Sequence, residues 1–157
     1  YSTCVGEGPF VCEMFGDEAD RLREAGGEYG AATGRPRRVG PFDVPASRYG
    51  VRMQGADQIA LTKMDVLSYL EKIPVCVAYQ VDGVITEEFP TGAKLDRAKA
   101  VVEYLPGWHC DISKCRRWED LPKEAQEYIR YLEKKVQCSI KYVSVGAARE
   151  EYLVLED

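Results

Sequence analysis

The chain has 157 residues, of which 45% are hydrophobic and 30% are charged, and its net charge is −5. This composition excludes a disordered protein and is sufficient for one domain with a hydrophobic core. The acidic balance argues against nonspecific nucleic-acid binding, which needs a broad basic surface, and no apolar run approaches the about 20 residues that cross a bilayer. We therefore expect neither a nucleic-acid partner nor a membrane partner.

The six cysteines are scattered along the chain and follow no secretory signal. This distribution favours reduced thiols in a cytoplasmic protein over a framework of disulfides. Tyr1 to Val5 has the pattern of an extended strand and lacks an initiator methionine. We expect the chain to be part of a longer protein.

Two helices are predicted in the first third of the chain. Asp17 to Ala25 forms a short polar helix that ends at a glycine pair, because glycine adopts the left-handed conformation that ends helices. A loop is predicted from Tyr29 to Gly40. Asp43 then caps a second helix, which extends to about Met53 and ends at Gly55.

The middle of the chain alternates strand, loop and helix, an order typical of α/β proteins. Ile59 to Thr62 is predicted to be a buried strand, and Asp65 to Leu70 a short helix. Lys63 and Asp65 therefore follow the carboxyl end of a strand. Ligands bind at this position in open α/β sheets.

A β-hairpin is predicted next. Asp82-Gly83 suits the positive φ angles of a tight turn and separates two β-branched runs, Val75 to Val81 and Val84 to Thr86. From Pro90 to Tyr104 the pattern allows no more than a short helix.

The last third contains a strongly amphipathic helix from Pro122 to about Val136. Its apolar positions recur at helical spacing: Ala125, Ile129, Leu132 and Val136. Strands from Ser139 to Val143 and from Tyr152 to Leu155 complete an α/β fold. We expect one domain over residues 1–157.

The loop from Gly30 to Arg38 has the features of an anion-binding segment. Its glycines allow backbone amides to approach a ligand, and Pro36 stiffens the backbone between Arg35 and Arg37. Arginine forks match carboxylates and phosphates, and a stiff loop loses less freedom on binding. Two alternatives stay open: arginines paired with acidic neighbours, and an RNA contact that also uses Arg38, which fits the acidic balance poorly.

The segment Thr62-Lys63-Met64-Asp65 offers a second recognition chemistry. An aspartate carboxylate matches the adjacent N1–H and 2-amino donors of guanine, a pair that adenine lacks. The stem of Lys63 can cover one face of the base while its ammonium stays in water. Such residues after a strand are also common as a solvated loop or a helix cap, so this motif alone does not establish guanine binding.

Other polar residues form weaker patterns. His109, Cys110 and Cys115 lack the paired Cys-x-x-Cys spacing of a zinc site, so we expect no metal ligands there. Two acidic pairs are predicted to be solvated: Glu87-Glu88 and Glu150-Glu151. No pattern predicts a catalytic acid or base.

A set of segments occurs in the order seen in the C-terminal part of adenylosuccinate synthetase and spans nearly the whole chain. The segments are Val5 to Phe10, Glu28 to Arg38, Gly40 to Asp43, Leu61 to Leu67, Cys76 to Tyr79, Leu105 to Trp108 and Ser144 to Gly146. The chain therefore resembles this family. The resemblance implies an α/β fold, the C-terminal part of a larger and mostly parallel-sheet protein, with an antiparallel hairpin subregion.

The resemblance also implies an activity and a set of binding residues. The family is a cytosolic, Mg²⁺-dependent and usually homodimeric ligase of purine biosynthesis that joins IMP and L-aspartate with hydrolysis of GTP. The residues implied to bind GTP are Arg37, Lys63, Met64, Asp65, Ser144, Val145 and Gly146. Those implied to bind L-aspartate are Ala31, Ala32, Thr33, Gly34, Arg35 and Arg37, and Arg35 is also implied to lie near IMP.

The chain departs from the family pattern at a few positions. Ala32 stands where threonine is usual, Pro41 where tryptophan is common and Ala147 where proline is common, and Val11-Cys12 replaces a usual Pro-Thr pair. The family's phosphate loop, aspartate base and histidine acid have no equivalent here. We expect the chain to supply guanine and aspartate binding, without catalytic residues or Mg²⁺ ligands, and to be inactive alone. An autonomous guanine-nucleotide- or anion-binding module without ligase activity is the alternative.

Overall fold

The computed structural model describes residues 1–155. The helices in this range are α1 (Asp17–Gly26), α2 (Val44–Gln54) and α3 (Lys123–Val136). The strands are β1 (Ser2–Cys4), β2 (Arg38–Gly40), β3 (Phe42–Asp43), β4 (Gln58–Leu61), β5 (Lys72–Val81), β6 (Val84–Thr86), β7 (Lys99–Pro106), β8 (Ser139–Ser144) and β9 (Tyr152–Val154). Residue contacts define two compact units. The first comprises Tyr1–Tyr49 and Pro74–Glu103, and the second comprises Gly50–Ile73 and the chain from Tyr104 onward.

The ends of α1 and α2 confirm the helices predicted from the sequence. α1 stops at Gly27, which has a left-handed φ of 60°. Asp43 caps α2, because its Oδ1 accepts a hydrogen bond of 3.0 Å from the backbone N–H of Ala46. Gly55 follows α2 with a φ of 60°. Local capping chemistry therefore determines where both helices begin or end.

The first unit contains a two-stranded sheet that the sequence did not predict in full. β1 and β2 pair antiparallel, with Thr3 opposite Val39. The prediction of a loop as far as Gly40 was therefore wrong in its last three residues, Arg38 to Gly40. The reason is tertiary: Val39 is completely buried and β1 provides a partner strand, neither of which a local pattern shows.

The larger sheet of the first unit has β5 at its centre. β3 runs parallel to β5, with Phe42 opposite Val75, and β6 runs antiparallel to it. The hairpin prediction is confirmed, since Asp82 and Gly83 have φ angles of 51° and 85° between β5 and β6. β7 also pairs with β5. In the region from Pro90 to Tyr104, where the sequence allowed a short helix, a 3₁₀ helix (Gly92–Arg97) precedes the start of β7, which was not predicted.

The second unit is built on the strand order β4, β8, β9. β4 and β8 are parallel, whereas β8 and β9 are antiparallel. The amphipathic helix is confirmed as α3, whose predicted apolar positions are all buried. The strand predicted at Ile59 to Thr62 is present as β4, but its predicted burial was wrong: of its four residues only Leu61 is buried, because β4 is an edge strand of this sheet.

The architecture is thus mixed α/β, with parallel and antiparallel strand pairs, and the predicted fold class is confirmed. The expectation of a single domain over the whole chain stays a prediction. Within residues 1–155, no helix has the length and apolar character needed to cross a bilayer.

Gly107 provides a test of the packing in the second unit. Its N–H donates to the carbonyl of Glu71 at 2.9 Å, and a Cβ at this position would lie 1.8 Å from the carbonyl oxygen of Leu70. We expect Gly107→Ala to lower the free energy of unfolding by about 1–3 kcal/mol, measured by urea denaturation. Gly50→Ala is the matched control, because its Cβ would meet nothing nearer than 3.9 Å.

The control variant should be as stable as the unchanged chain, or more stable by up to about 1 kcal/mol, since alanine favours the helix. Equal urea midpoints for Gly107→Ala and the unchanged chain would show that this backbone contact is not a constraint.

Candidate functional site

The binding residues predicted from the sequence fall into two sets, one in each unit. The first set is the turn and arginines of Ala31 to Arg37, in the first unit. The second set combines Lys63 to Asp65 with Ser144 to Gly146, in the second unit. Within each set, the structure brings the predicted residues close together.

Parallel pairing of β4 and β8 joins the two halves of the second set. Leu61 lies opposite Val143, so both strands end at the same edge of the sheet. Directly after the strands, the N–H of Met64 donates to the carbonyl of Ser144 at 3.0 Å. This bond links the Lys63 to Asp65 segment to the Ser144 to Gly146 segment.

The side chains of this second set have different environments. Lys63 adopts a left-handed φ of 59°, which turns the chain sharply after β4. Met64 and Val145 are buried in the core, and their backbone N–H groups donate to Ser144 and Glu151 within the protein. Asp65 is the first residue of a 3₁₀ helix that extends to Tyr69.

Asp65 has an unsatisfied carboxylate oxygen. Its Oδ1 is buried and accepts no hydrogen bond from any residue in the described part of the chain. Burial raises the pKa of Asp65, and the charge of Glu151 raises it further, whereas nearby backbone N–H groups and Lys63 lower it. A buried acceptor without a donor costs free energy, so Asp65 is prepared to accept a hydrogen bond from a ligand.

Glu151 shapes the second loop of this set and was missed by the sequence analysis. Its Oε2 accepts a hydrogen bond of 2.8 Å from the N–H of Ala148, and its carbonyl accepts one of 2.9 Å from Val145. A Cβ on Gly146 would lie 2.2 Å from Glu151 Oε2, so a larger residue here would displace the carboxylate of Glu151.

The prediction that Glu151 is simply solvated was therefore wrong, while its neighbour Glu150 is exposed as predicted. No sequence signal distinguishes the two glutamates, because the contact arises from the turn between β8 and β9.

Backbone hydrogen bonds join the two ends of the turn in the first set. The N–H of Gly30 donates to the carbonyl of Arg35 at 2.8 Å, and the N–H of Arg37 donates to that of Glu28 at 2.9 Å. Between them, Gly34 donates to Gly30 at 2.8 Å and has a left-handed φ of 64°. Residues 31 to 34 are the exposed part of this turn.

The three arginines near this turn differ in whether they form an ion pair. Arg37 lies 3.0 Å from the carboxylate of Glu28, which is buried, and Arg38 lies 2.6 Å from that of Glu13. Arg35 is exposed, and within residues 1–155 its guanidinium makes no ion pair. The alternative of an arginine cluster paired with acidic neighbours is correct for Arg37 and Arg38. Arg35 remains available for an anionic ligand.

Comparison with known proteins gives one consistent family. The family model described as adenylosuccinate synthetase matches residues 1–153. Adenylosuccinate synthetases from Prochlorococcus marinus (strain MIT 9211) and from Leifsonia xyli subsp. xyli are each 48% identical over 158 aligned positions, which cover 100% of this chain. The chain spans 36% of the length of these relatives.

The fold is also similar to that of a solved structure. The fully ligated adenylosuccinate synthetase from Plasmodium falciparum superposes with a TM-score of 0.93 at 38% sequence identity. The match covers 99% of this chain and 38% of that chain.

The arginines give a direct test of the loop. Arg37→Ala removes the ion pair with the buried carboxylate of Glu28, which keeps the hydrogen bond from the hydroxyl of Tyr1, so we expect a loss of about 1–3 kcal/mol of unfolding free energy in urea. Arg35→Ala removes an exposed side chain without an ion pair and should change stability by no more than about 0.5 kcal/mol. If both variants are destabilised equally, Arg35 has a structural contact that we have not recognised.

Glu151 gives a test of the electrostatics around Asp65. Glu151→Gln keeps an acceptor for Ala148 and removes the negative charge that raises the pKa of Asp65, so this pKa should fall. An NMR titration of the Asp65 carboxyl carbon measures the shift. Glu150→Gln, at the exposed neighbouring position, is the control and should leave the titration unchanged. Equal shifts in the two variants would contradict the assignment.

Proposed function

We propose that this chain, which belongs to the adenylosuccinate synthetase family, is the C-terminal part of a GTP-dependent ligase that joins IMP and L-aspartate. In this proposal the chain supplies the guanine site and the aspartate site. The observation that supports it most strongly is the buried Oδ1 of Asp65, which lacks a donor beside a second loop of the predicted site.

The proposed guanine contact is a pair of charge-assisted hydrogen bonds. The N1–H and 2-amino groups of guanine would donate to the carboxylate of Asp65, and satisfying the buried Oδ1 would favour this base over adenine. Ser144 to Gly146 would meet another edge of the base, because Met64 and Ser144 hold the two loops together. Lys63 would pack along the base.

The proposed aspartate contact uses the turn of the first unit. Arg35 is exposed and makes no ion pair in the described chain, and the neighbouring turn from Ala31 to Gly34 presents backbone groups. Its guanidinium would bind a carboxylate of L-aspartate and would lie near the ribose of IMP. Arg37 would contribute its charge toward the GTP phosphates and L-aspartate while Glu28 holds it in position.

In the whole enzyme, GTP would phosphorylate the 6-oxygen of IMP, and the amino group of L-aspartate would displace the phosphate. The residues of this chain would bind and orient the reactants, which lowers the barrier by positioning and needs no proton transfer here. We propose that the chain is inactive alone. The whole protein is proposed to be homodimeric and cytoplasmic.

Mg²⁺ is expected for the family, where it would neutralise charge on the GTP phosphates. Among the described residues, the grouping suited to hold a metal is Cys12, Asp43 and Cys76. Its two sulfur ligands do not fit Mg²⁺, which prefers oxygen. We therefore assign no Mg²⁺ ligand to residues 1–155 and derive no step through this ion.

An autonomous guanine-nucleotide-binding module is the second candidate. It is favoured by one observation: Lys63 to Asp65 and Ser144 to Gly146 all lie in the second unit, so the base contacts need no other part of the chain. Both candidates bind guanine through the same residues. They differ in whether the whole protein also catalyses the ligase reaction.

Calorimetric titration of the chain with GDP and with ADP tests the guanine site. We expect tighter binding of GDP, and we expect Asp65→Asn to reduce the GDP affinity by about 10- to 100-fold because charge-assisted hydrogen bonds are lost. Asp57→Asn is the matched control at an exposed position of the same unit and should keep the preference. Equal affinity for both nucleotides, or a preference that survives in Asp65→Asn, would contradict the proposed contact.

Binding of neither nucleotide would exclude the autonomous module and leave the ligase proposal to the whole enzyme. There, Asp65→Asn should raise KM for GTP more than it lowers kcat, since the base contact is the same in the ground state and the transition state. A lower kcat with an unchanged KM for GTP would contradict a role of Asp65 in binding the base.

A further inference from the structure

Three potential metal ligands meet inside the first unit. They are Cys12, Asp43 and Cys76, whose two Sγ atoms and carboxylate oxygen all lie within 4.8 Å of one another. Each residue is buried, and each comes from a different segment: Cys12 from a turn before α1, Asp43 from β3 and Cys76 from β5. Parallel pairing of β3 and β5 puts Asp43 directly opposite Cys76, so the backbone itself fixes part of this cluster.

The spacing is close to that of a tetrahedral metal site. With bonds of about 2.3 Å to sulfur and about 2.1 Å to oxygen, tetrahedral ligands lie about 3.6 to 3.8 Å apart. Cys12 Sγ is 3.3 Å from Asp43 Oδ2 and all three ligand atoms lie within 4.8 Å of one another, so shifts of about 1 Å or less bring them to these distances. The hydroxyl of Tyr79 donates to the carboxylate of Asp43 at 2.7 Å and holds it in position.

Without a cation, a hydrogen bond from a thiol joins part of the cluster. The thiol of Cys12 lies 3.3 Å from Oδ2 of Asp43, to which it donates, and 3.4 Å from the carbonyl oxygen of Pro41. A divalent cation would replace one proton on each thiol, and both protons would pass to water.

Two thiolates and one carboxylate leave one net negative charge on a divalent cation. This charge would lie at the N-terminus of α2, which Asp43 caps and whose dipole stabilises anions. Asp43 could keep its hydrogen bond from Ala46 through Oδ1 and bind the cation through Oδ2, because the N–H of Ala46 contacts Oδ1 and the thiol of Cys12 contacts Oδ2.

A cavity gives the cluster a route to solvent. It has a volume of about 340 Å³ and is lined by Asp43 and Tyr79 together with apolar side chains that include Phe10 and Val11. Because Asp43 lines this cavity, a cation that enters it would reach the carboxylate of the cluster.

We propose that Cys12, Asp43 and Cys76 form a binding site for a thiophilic divalent cation of the zinc and cadmium class. Sulfur ligands select such ions over Mg²⁺ and Ca²⁺, and the buried cluster supplies two sulfurs and one oxygen. The site is independent of the guanine and aspartate contacts proposed above, since it shares no residue with them.

The test is a titration of the whole reduced chain with cadmium chloride, followed by the ultraviolet charge-transfer absorbance of cadmium thiolates. We expect one cadmium per chain and the absorbance of two thiolates. Cys12→Thr keeps a hydroxyl donor for Asp43 and removes one sulfur, so affinity should fall at least about 10-fold. Cys110→Ser, at an exposed cysteine of the second unit, is the control and should bind as the unchanged chain does.

Folding of Cys12→Thr is checked by circular dichroism in the presence of a chelator, and Asp43→Asn gives a second variant that keeps the side-chain shape. A cadmium-dependent rise in the melting temperature of the unchanged chain, reduced in both variants, would support the site. Absence of the thiolate band, an undiminished band in Cys12→Thr, or loss of the band in Cys110→Ser would overturn it.

Discussion

The parallel pairing of β4 with β8 is the constraint on which the candidate guanine site depends. Strands that run in the same direction end at the same edge, and here that edge is closed by the bond from Met64 to Ser144. Two segments about eighty positions apart thereby become neighbours. The left-handed turn at Lys63 and the close approach of Gly146 to Glu151 are both local adjustments to this arrangement. The sheet supplies the geometry, and the loops supply the recognition chemistry.

Two buried aspartate oxygens differ in whether the protein itself supplies their hydrogen bonds. Burial raises the pKa of both Asp43 and Asp65. Asp43 receives hydrogen bonds from Ala46, Tyr79 and Cys12, so its carboxylate is satisfied within the protein. Asp65 keeps one buried oxygen without a donor in the described chain. Native proteins rarely leave a buried polar atom unpaired, and a ligand that donates a hydrogen bond to Asp65 would satisfy this oxygen.

Local chemistry made much of the fold predictable, and tertiary context explains the errors. The cap of α2 at Asp43 and the hairpin turn at Asp82-Gly83 depend on neighbouring residues alone, and both were predicted correctly. β2 was missed because its pairing partner lies more than thirty residues earlier in the chain. At the candidate site, the sequence predicted Asp65, Arg35 and Arg37 as binding residues but could not separate Arg35 from Arg37, since the difference is a buried glutamate.

The raised pKa of Asp65 has a consequence for how a base would be bound. Only the ionised carboxylate can accept both donors of guanine, whereas burial favours the neutral form in the ligand-free chain. As the pH approaches this pKa, a growing share of the molecules would release a proton when guanine binds. The heat of binding would then include the ionisation enthalpy of the buffer that takes up the proton. Binding of guanine and the pH are therefore thermodynamically linked through the carboxylate of Asp65.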